Sequence, residues 1–186
     1  MGKAFAFIFD ILQTVVLAAA IFVITYLFIL APNMVKGASM EENFFDGDYI
    51  LTEKISYRLR EPNRGEIIVF RAPNKPDVDY IKRIIALPRE TVVLRDNKIY
   101  INDVLLDEAY QPNSETTAGK FLTENQPFTV PEGTYFVLGD NRLHSSDSRE
   151  FGAIPLEAVR GRAVWRYWPT TRFGSINTPT YAIAAE

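Results

Sequence analysis

Cysteine is absent from the 186 residues, and histidine occurs once, at His144. No disulfide framework, thiolate metal site or Cys nucleophile is therefore available, and a single imidazole excludes most His-rich metal sites. A surplus of positive charge is missing too. Lys+Arg 20 against Asp+Glu 23 gives a net charge of -3, which leaves nothing to neutralise a phosphate backbone and argues against nucleic acid as the main partner. Hydrophobic residues at 47% with charged residues at 23% exclude wholesale disorder, and the length is that of one domain with an appendage. Any catalysis here must rest mostly on Ser, Lys, Asp, Glu, Arg or Tyr.

One long hydrophobic run is present. From Ile11 to Ala31 no residue is charged, and at about 1.5 Å per residue such a helix crosses the ~30 Å hydrocarbon layer of a bilayer. A cleavable signal peptide has a shorter apolar region behind a basic start; here only Lys3 precedes the run, which favours an uncleaved anchor. Asp10 and Gln13, at its start, read as positional. Lys3 on one side and Lys36 on the other leave orientation undecided by charge.

Beyond Pro32 the apolar residues fall in short runs rich in β-branched and aromatic side chains. These are Tyr49–Leu51, Glu66–Phe70, Tyr80–Leu87, Thr91–Leu94, Ile99–Leu106, Thr134–Leu138 and Ala163–Trp168, separated by Gly, Pro, Asn and Asp. They predict strands, with a hairpin turning at Asp96-Asn97-Lys98. The polar stretch Asp107–Gln126 has no periodicity and reads as a surface excursion. The expected division is a membrane anchor over 1–32 and a β-rich domain over 33–186.

Three segments carry candidate chemistry. Ser39 lies in Lys36-Gly37-Ala38-Ser39-Met40, close behind the apolar run; taken singly it reads as a linker serine. Lys82 lies in a strand pattern between Tyr80 and Ile84, where a dry environment disfavours the charged amine and makes a general base of it; most strand lysines instead reach water. Arg83 falls on the opposite face. Gly139 to Arg149 is dense in hydrogen-bonding side chains, with Asp147 and Arg149 placed to pair and Ser hydroxyls able to orient a neighbour.

Taken together, Gly37-Ala38-Ser39-Met40 beside an anchor, the Tyr80–Pro88 segment some forty residues later, and the Gly139–Pro155 segment resemble type I signal peptidases, membrane-bound serine endopeptidases that remove signal peptides. Gly47-Asp48, Arg64–Phe70, Ile101-Asn102 and Tyr167-Trp168-Pro169 extend the resemblance along the chain. It implies a mainly β fold: a single N-terminal transmembrane helix followed by an antiparallel, partly coiled β-sheet catalytic domain. It also implies Ser39 as nucleophile, Lys82 as general base, Ser145 as the hydroxyl that positions the lysine, and Asp147 with Arg149 as the brace of that loop. Met40 follows the nucleophile as in the family. No cofactor and no metal are implied.

Three positions depart from the family pattern. Gly37 stands where some members have a second Ser that helps the oxyanion, which leaves that task mainly to backbone N–H groups, Ser39 N–H foremost. Glu42-Asn43-Phe44 replaces a Pro-Thr-Leu-like stretch, and Pro88-Arg89-Glu90 replaces Pro-Gly-Asp.

Substrates implied by the resemblance are signal-peptide-bearing preproteins with small residues at -1 and -3, bound as an extended strand. The protein would sit in the cell membrane as a single-pass chain near the export machinery, amino terminus cytoplasmic and β domain across the bilayer. An inactive or narrow-specificity relative that binds signal peptides is the alternative. His144 falls where the family has no catalytic residue. Met40, Phe44 and Phe45 are candidates for an apolar rim against the bilayer or for plain core. Ala182-Ile183-Ala184-Ala185 resembles a cleavage site but reads as a frayed tail.

Overall fold

The structure is a computed structural model that describes residues 2–111, 115–179 and 181. The Ala182–Ala185 stretch lies outside these. Helix α1 (Gly2–Phe28) is largely apolar and its large apolar side chains are exposed; its Phe5–Phe28 portion has a mean hydropathy of 2.5 and is long enough to cross a membrane. The helix starts earlier and stops sooner than the uncharged run. Leu30 and Ala31 instead begin strand β1 (Leu30–Met34), so the sheet starts before the expected boundary at 32.

The remaining elements are β2 (Tyr49–Glu53), a short α2 (Ser56–Leu59), β3 (Ile67–Ala72), β4 (Lys75–Ala86), β5 (Thr91–Arg95), β6 (Lys98–Ile101), β7 (Val104–Leu105), β8 (Phe128–Thr129), β9 (Thr134–Leu138), α3 (Ser148–Phe151), β10 (Ile154–Pro155), β11 (Val159–Trp168) and β12 (Gly174–Ser175). A large antiparallel sheet has the order β1-β2-β11-β3-β4-β9-β10, with β12 on β11. A small sheet, β7-β6-β5-β8, is antiparallel as well. The mainly β, antiparallel fold class expected from the sequence is thus the one observed.

Every predicted run contains a strand, with instructive shifts. The β5–β6 hairpin turns on two residues, Asp96 and Asn97, with Lys98 already in β6; both turn residues have positive φ (51° and 59°), as a type I′ turn requires. The run Ile99–Leu106 is split by a second such turn at Asn102 and Asp103. Strand β4 extends back to Lys75 through polar residues that show no strand pattern, and from Lys82 to Ala86 it is buried on both faces. Separate core clusters lie on its two sides: Ile84 packs with Phe70 and Val137, Ile85 with Leu94 and Phe136.

One expectation is corrected, and for Met40 and Phe44 the core alternative is the one observed. The Asp107–Gln126 stretch is not a mere surface excursion. Glu108, Thr116 and Leu122 are buried, and the N–H groups of Phe121 and Leu122 donate to the Arg149 carbonyl (2.8 and 3.1 Å). Met40 and Phe44 form no rim; both are fully buried with Val35, Ile50, Ile67, Val69 and Ala163. Phe45 is half-buried under the Arg172 guanidinium, 4.2 Å from its ring centroid. Truncating Phe44 to Ala leaves a cavity in this cluster, and the expected loss is about 3–5 kcal/mol in denaturant unfolding of the full chain in detergent. A rim residue would show almost no change.

Candidate active site

Ser39 sits on a compact turn between β1 and β2. The turn closes through Glu41 N–H to the Ala38 carbonyl (3.1 Å) and Phe44 N–H to the Met40 carbonyl (2.8 Å), and Met40 and Phe44 anchor it in the core. Gly37, just before it, has φ +81°, and its N–H donates to Asp46 Oδ1 (2.7 Å). A Cβ at Gly37 would meet nothing within 4 Å, so the obstacle to a serine there is backbone conformation and not space.

Lys82 projects from β4 at the register of Ile68 and is 3% exposed. Its Nζ donates to Ser39 Oγ (2.7 Å) and to the Ile81 carbonyl (2.8 Å), and lies 5.2 Å from the Tyr80 ring centroid. Burial pushes the amine down from its ordinary 10.5 to about 8. Asp147 and Asp140 oppose that change, and Arg149 adds to it.

The Gly139–Arg149 loop packs directly on the Ser39 turn. Asn141 N–H donates to the Ser39 carbonyl (3.1 Å), and a Cβ at Gly139 would overlap both that carbonyl and Ser145 Oγ. Asp147 is fully buried. It accepts from Gly139 N–H (3.0 Å) and takes Arg149 Nε and Nη2 bidentately at 2.8 Å each. Arg149 continues to the carbonyls of Thr117 (3.1 Å) and Arg142 (2.7 Å). The Ser145 Oγ is buried against Gly139 and has no hydrogen-bond partner among the described residues, while the Lys82 amine donates to Ser39 Oγ and the Ile81 carbonyl.

Two further buried pairs went unread in the sequence. Arg83, placed on an unremarkable opposite face, is 3% exposed and grips Asp140 through Nε (2.8 Å) and Nη2 (2.6 Å); Asn43 Nδ2 donates to the same carboxylate (2.9 Å). Arg142 pairs with Glu108, bonds Thr116 Oγ1 (2.7 Å) and returns to the Gly139 carbonyl (3.0 Å). The available signal was an arginine inside an apolar strand and another inside a loop that must be ordered. Each demands a buried carboxylate. His144 is exposed, its Nδ1 3.2 Å from Asn141 Oδ1, and neither Ser39 nor Asp147 is among its hydrogen-bond partners.

A cleft of about 360 Å³ opens on Ser39 and Lys82, walled by residues 33–39 on one side and by Val78 to Ile81 and Val69 on the other. Along this cleft β4 has a free edge. It pairs with β3 from Lys75 to Arg83, but pairing with β9 starts only at Arg83. Ser39 N–H has no acceptor among the described residues. A hydroxyl held against a dry amine, beside an unpaired strand edge and a free N–H, is the equipment of a serine hydrolase that works without histidine.

The comparisons with known proteins agree with that class. Residues 8–168 match the family model described as Signal peptidase, peptidase S26, and the chain belongs to this family. It is 38% identical over 180 residues to a probable signal peptidase I-2 of Synechocystis sp., covering 94% of this chain and 79% of that protein. It is 33% identical over 179 residues to signal peptidase IB of Staphylococcus aureus, covering 88% of this chain and 93% of that one. A crystal structure of a signal peptidase I from Enterococcus faecalis is 39% identical and covers 55% of this chain and 97% of that one, with a TM-score of 0.45. The chain is accordingly a serine endopeptidase of the signal peptidase type.

A lysine whose pKa falls on folding destabilises the fold wherever it must be charged. The penalty is complete below about 8 and disappears as pH rises towards 10.5. Lys82→Met is therefore expected to be more stable than wild type at pH 7, by up to about 3 kcal/mol. The difference should shrink steadily in unfolding curves taken from pH 8 to 10.5. A constant difference across that range would show that the amine is not desolvated.

Proposed function

We propose that the chain removes signal peptides from exported preproteins, with Ser39 as nucleophile and Lys82 as general base. The observation that carries this is the 2.7 Å contact between Ser39 Oγ and an amine lowered to about 8 by burial. Once Lys82 is neutral, the same contact lets its lone pair take the Oγ–H proton as Oγ attacks the scissile carbonyl. The oxyanion meets the free Ser39 N–H. The ammonium then gives its proton to the departing amine, and after exchange Lys82 activates the water that opens the acyl-enzyme. Asp147, Arg149, Gly37 and Met40 act as supports of this geometry, and Ser145 as a hydroxyl beside it.

Substrate specificity follows from the cleft. A peptide added in extended form along the free edge of β4 places alternate side chains on one face. The residues at -1 and -3 then point together at walls formed by Ile81, Val69 and Tyr80, which accommodate small side chains such as Ala. Signal peptides arrive from the bilayer, so α1 serves as a single-pass anchor and the chain from β1 onward as the catalytic domain. In this reading the amino terminus is cytoplasmic, and the catalytic domain lies on the extracytoplasmic face near the export machinery.

Detergent-solubilised full-length protein incubated with a preprotein whose signal ends in Ala-x-Ala is expected to yield a new amino terminus directly after the second Ala. Ser39→Ala and Lys82→Ala should abolish this, whereas His144→Ala should leave it largely intact. Cutting that survived Lys82→Ala would mean a different base, and no cutting by folded wild type would favour a protein that binds signal peptides without cleaving them.

The pH profile is a separate check. Because the neutral amine is the active form, kcat/KM should rise with pH through a group titrating near 8. A profile flat from pH 6 to 9 would remove Lys82 from the base role.

A further inference from the structure

At the C-terminal end of α1 the β domain presents cations. Lys54, directly after β2, donates from Nζ to the carbonyls of Tyr26 (3.1 Å) and Leu27 (3.3 Å), and sits 5.7 Å from the Tyr26 ring centroid. These carbonyls belong to the last helical turn, which has no helical donors left and carries the negative end of the helix dipole. Lys54 also lines a recess of about 310 Å³ together with Tyr57, Arg58, Leu156, Val159 and Arg160. No Asp or Glu is among its walls. Arg58 is exposed and joins no ion pair among the described residues. Arg160 meets only Asp79, at 3.5 Å and with both side chains nearly half exposed, a contact of little strength. Beside Arg58, Leu59 is 81% exposed, a large apolar side chain facing outward at the tip of α2.

Resting on the reading of α1 as a membrane span, we propose that this recess binds the headgroup of an anionic phospholipid. Lys54 ties the recess to the end of the span and hence to headgroup level. Arg58 and Arg160 supply the charge that meets the lipid phosphate, and Leu59 enters the acyl boundary beneath it. The chemistry of phosphate recognition is shared with free phosphate. The location at the helix end and the exposed leucine favour a lipid. Bound there, the headgroup would hold the β domain in one orientation against the bilayer and keep the mouth of the Ser39 cleft at a constant height for membrane-inserted substrates.

The test uses full-length protein in phosphatidylcholine vesicles doped with photoactivatable phosphatidylglycerol or, in parallel, photoactivatable phosphatidylcholine. Peptides spanning 54–60 and 156–161 are expected to be labelled several-fold more by the anionic probe. Arg58→Gln with Arg160→Gln should remove that excess while leaving preprotein cleavage in detergent unchanged. Equal labelling of the recess by both probes, or an excess that persists in the double variant, would overturn the lipid site alone. Protection by inorganic phosphate in neutral vesicles, with no preference between the two lipids, would assign the recess to a free phosphate group and also overturn it. Labelling along α1 reports the span independently, and its loss in every sample would bring down the span and the lipid site together.

Discussion

A lysine can serve as a base near neutral pH only where burial makes its charge expensive, and the proposed role of Lys82 depends on surroundings that meet this requirement. Two carboxylates lie close enough to hold the amine protonated, those of Asp140 and Asp147. Neither stands alone. Asp147 is gripped by Arg149 and Asp140 by Arg83, in bidentate pairs that are themselves almost entirely buried. Each guanidinium spends its carboxylate's field locally, so that desolvation dominates at the amine. Buried pairs of this kind are weak contributors to net stability, yet breaking one exposes an uncompensated charge. Their value here is electrostatic: they let carboxylates order the loop while burial still lowers the Lys82 amine.

The same strand does two jobs. β4 carries Lys82 at the point where pairing with β9 begins, and upstream of that point it leaves an edge open. The register of anything docked on this edge is therefore tied to the position of Lys82 by backbone geometry. Opposite it, Ser39 is held from three directions: by the Met40 and Phe44 peg, by Asn141 N–H on its carbonyl, and by β1, which ends five residues earlier. The position of Ser39 is set by core packing and backbone contacts and not by a network around its hydroxyl.

Much of this was legible in the residues. The apolar run, the strand runs and the Asp147–Arg149 pair all correspond to observed elements, because each rests on local pattern or close spacing. What escaped was long-range. Glu108 and Arg142 are 34 residues apart, Arg83 and Asp140 57 apart, and nothing in either stretch names its partner. Polar strand residues such as Lys75 to Asp79 were missed for a related reason: their outer edge is unpaired and their side chains exposed, so no burial pattern marks them. The β1 residues were absorbed into the hydrophobic run, since a strand edge and a helix end use the same apolar alphabet.

That last confusion bears on how Ser39 is placed relative to the end of α1. Ser39 comes eleven residues after Phe28, within roughly 40 Å even if fully extended. A flexible linker of that length would let the catalytic domain wander. Instead, Ile29 N–H still bonds the Thr25 carbonyl, Leu30 opens β1, and β1 pairs residue by residue with β2 from Leu30–Glu53 to Met34–Tyr49. Lys54, at the far end of β2, then closes the loop back onto the helix carbonyls. Helix end and sheet edge thus share hydrogen bonds, and the sheet that bears Lys82 continues from the strand that leaves the helix. If α1 spans the bilayer and Ser39 acts with Lys82 as proposed, a substrate emerging from the membrane meets the two at a height set by paired backbone, which is the condition for cutting a membrane-borne segment at a constant distance from the bilayer.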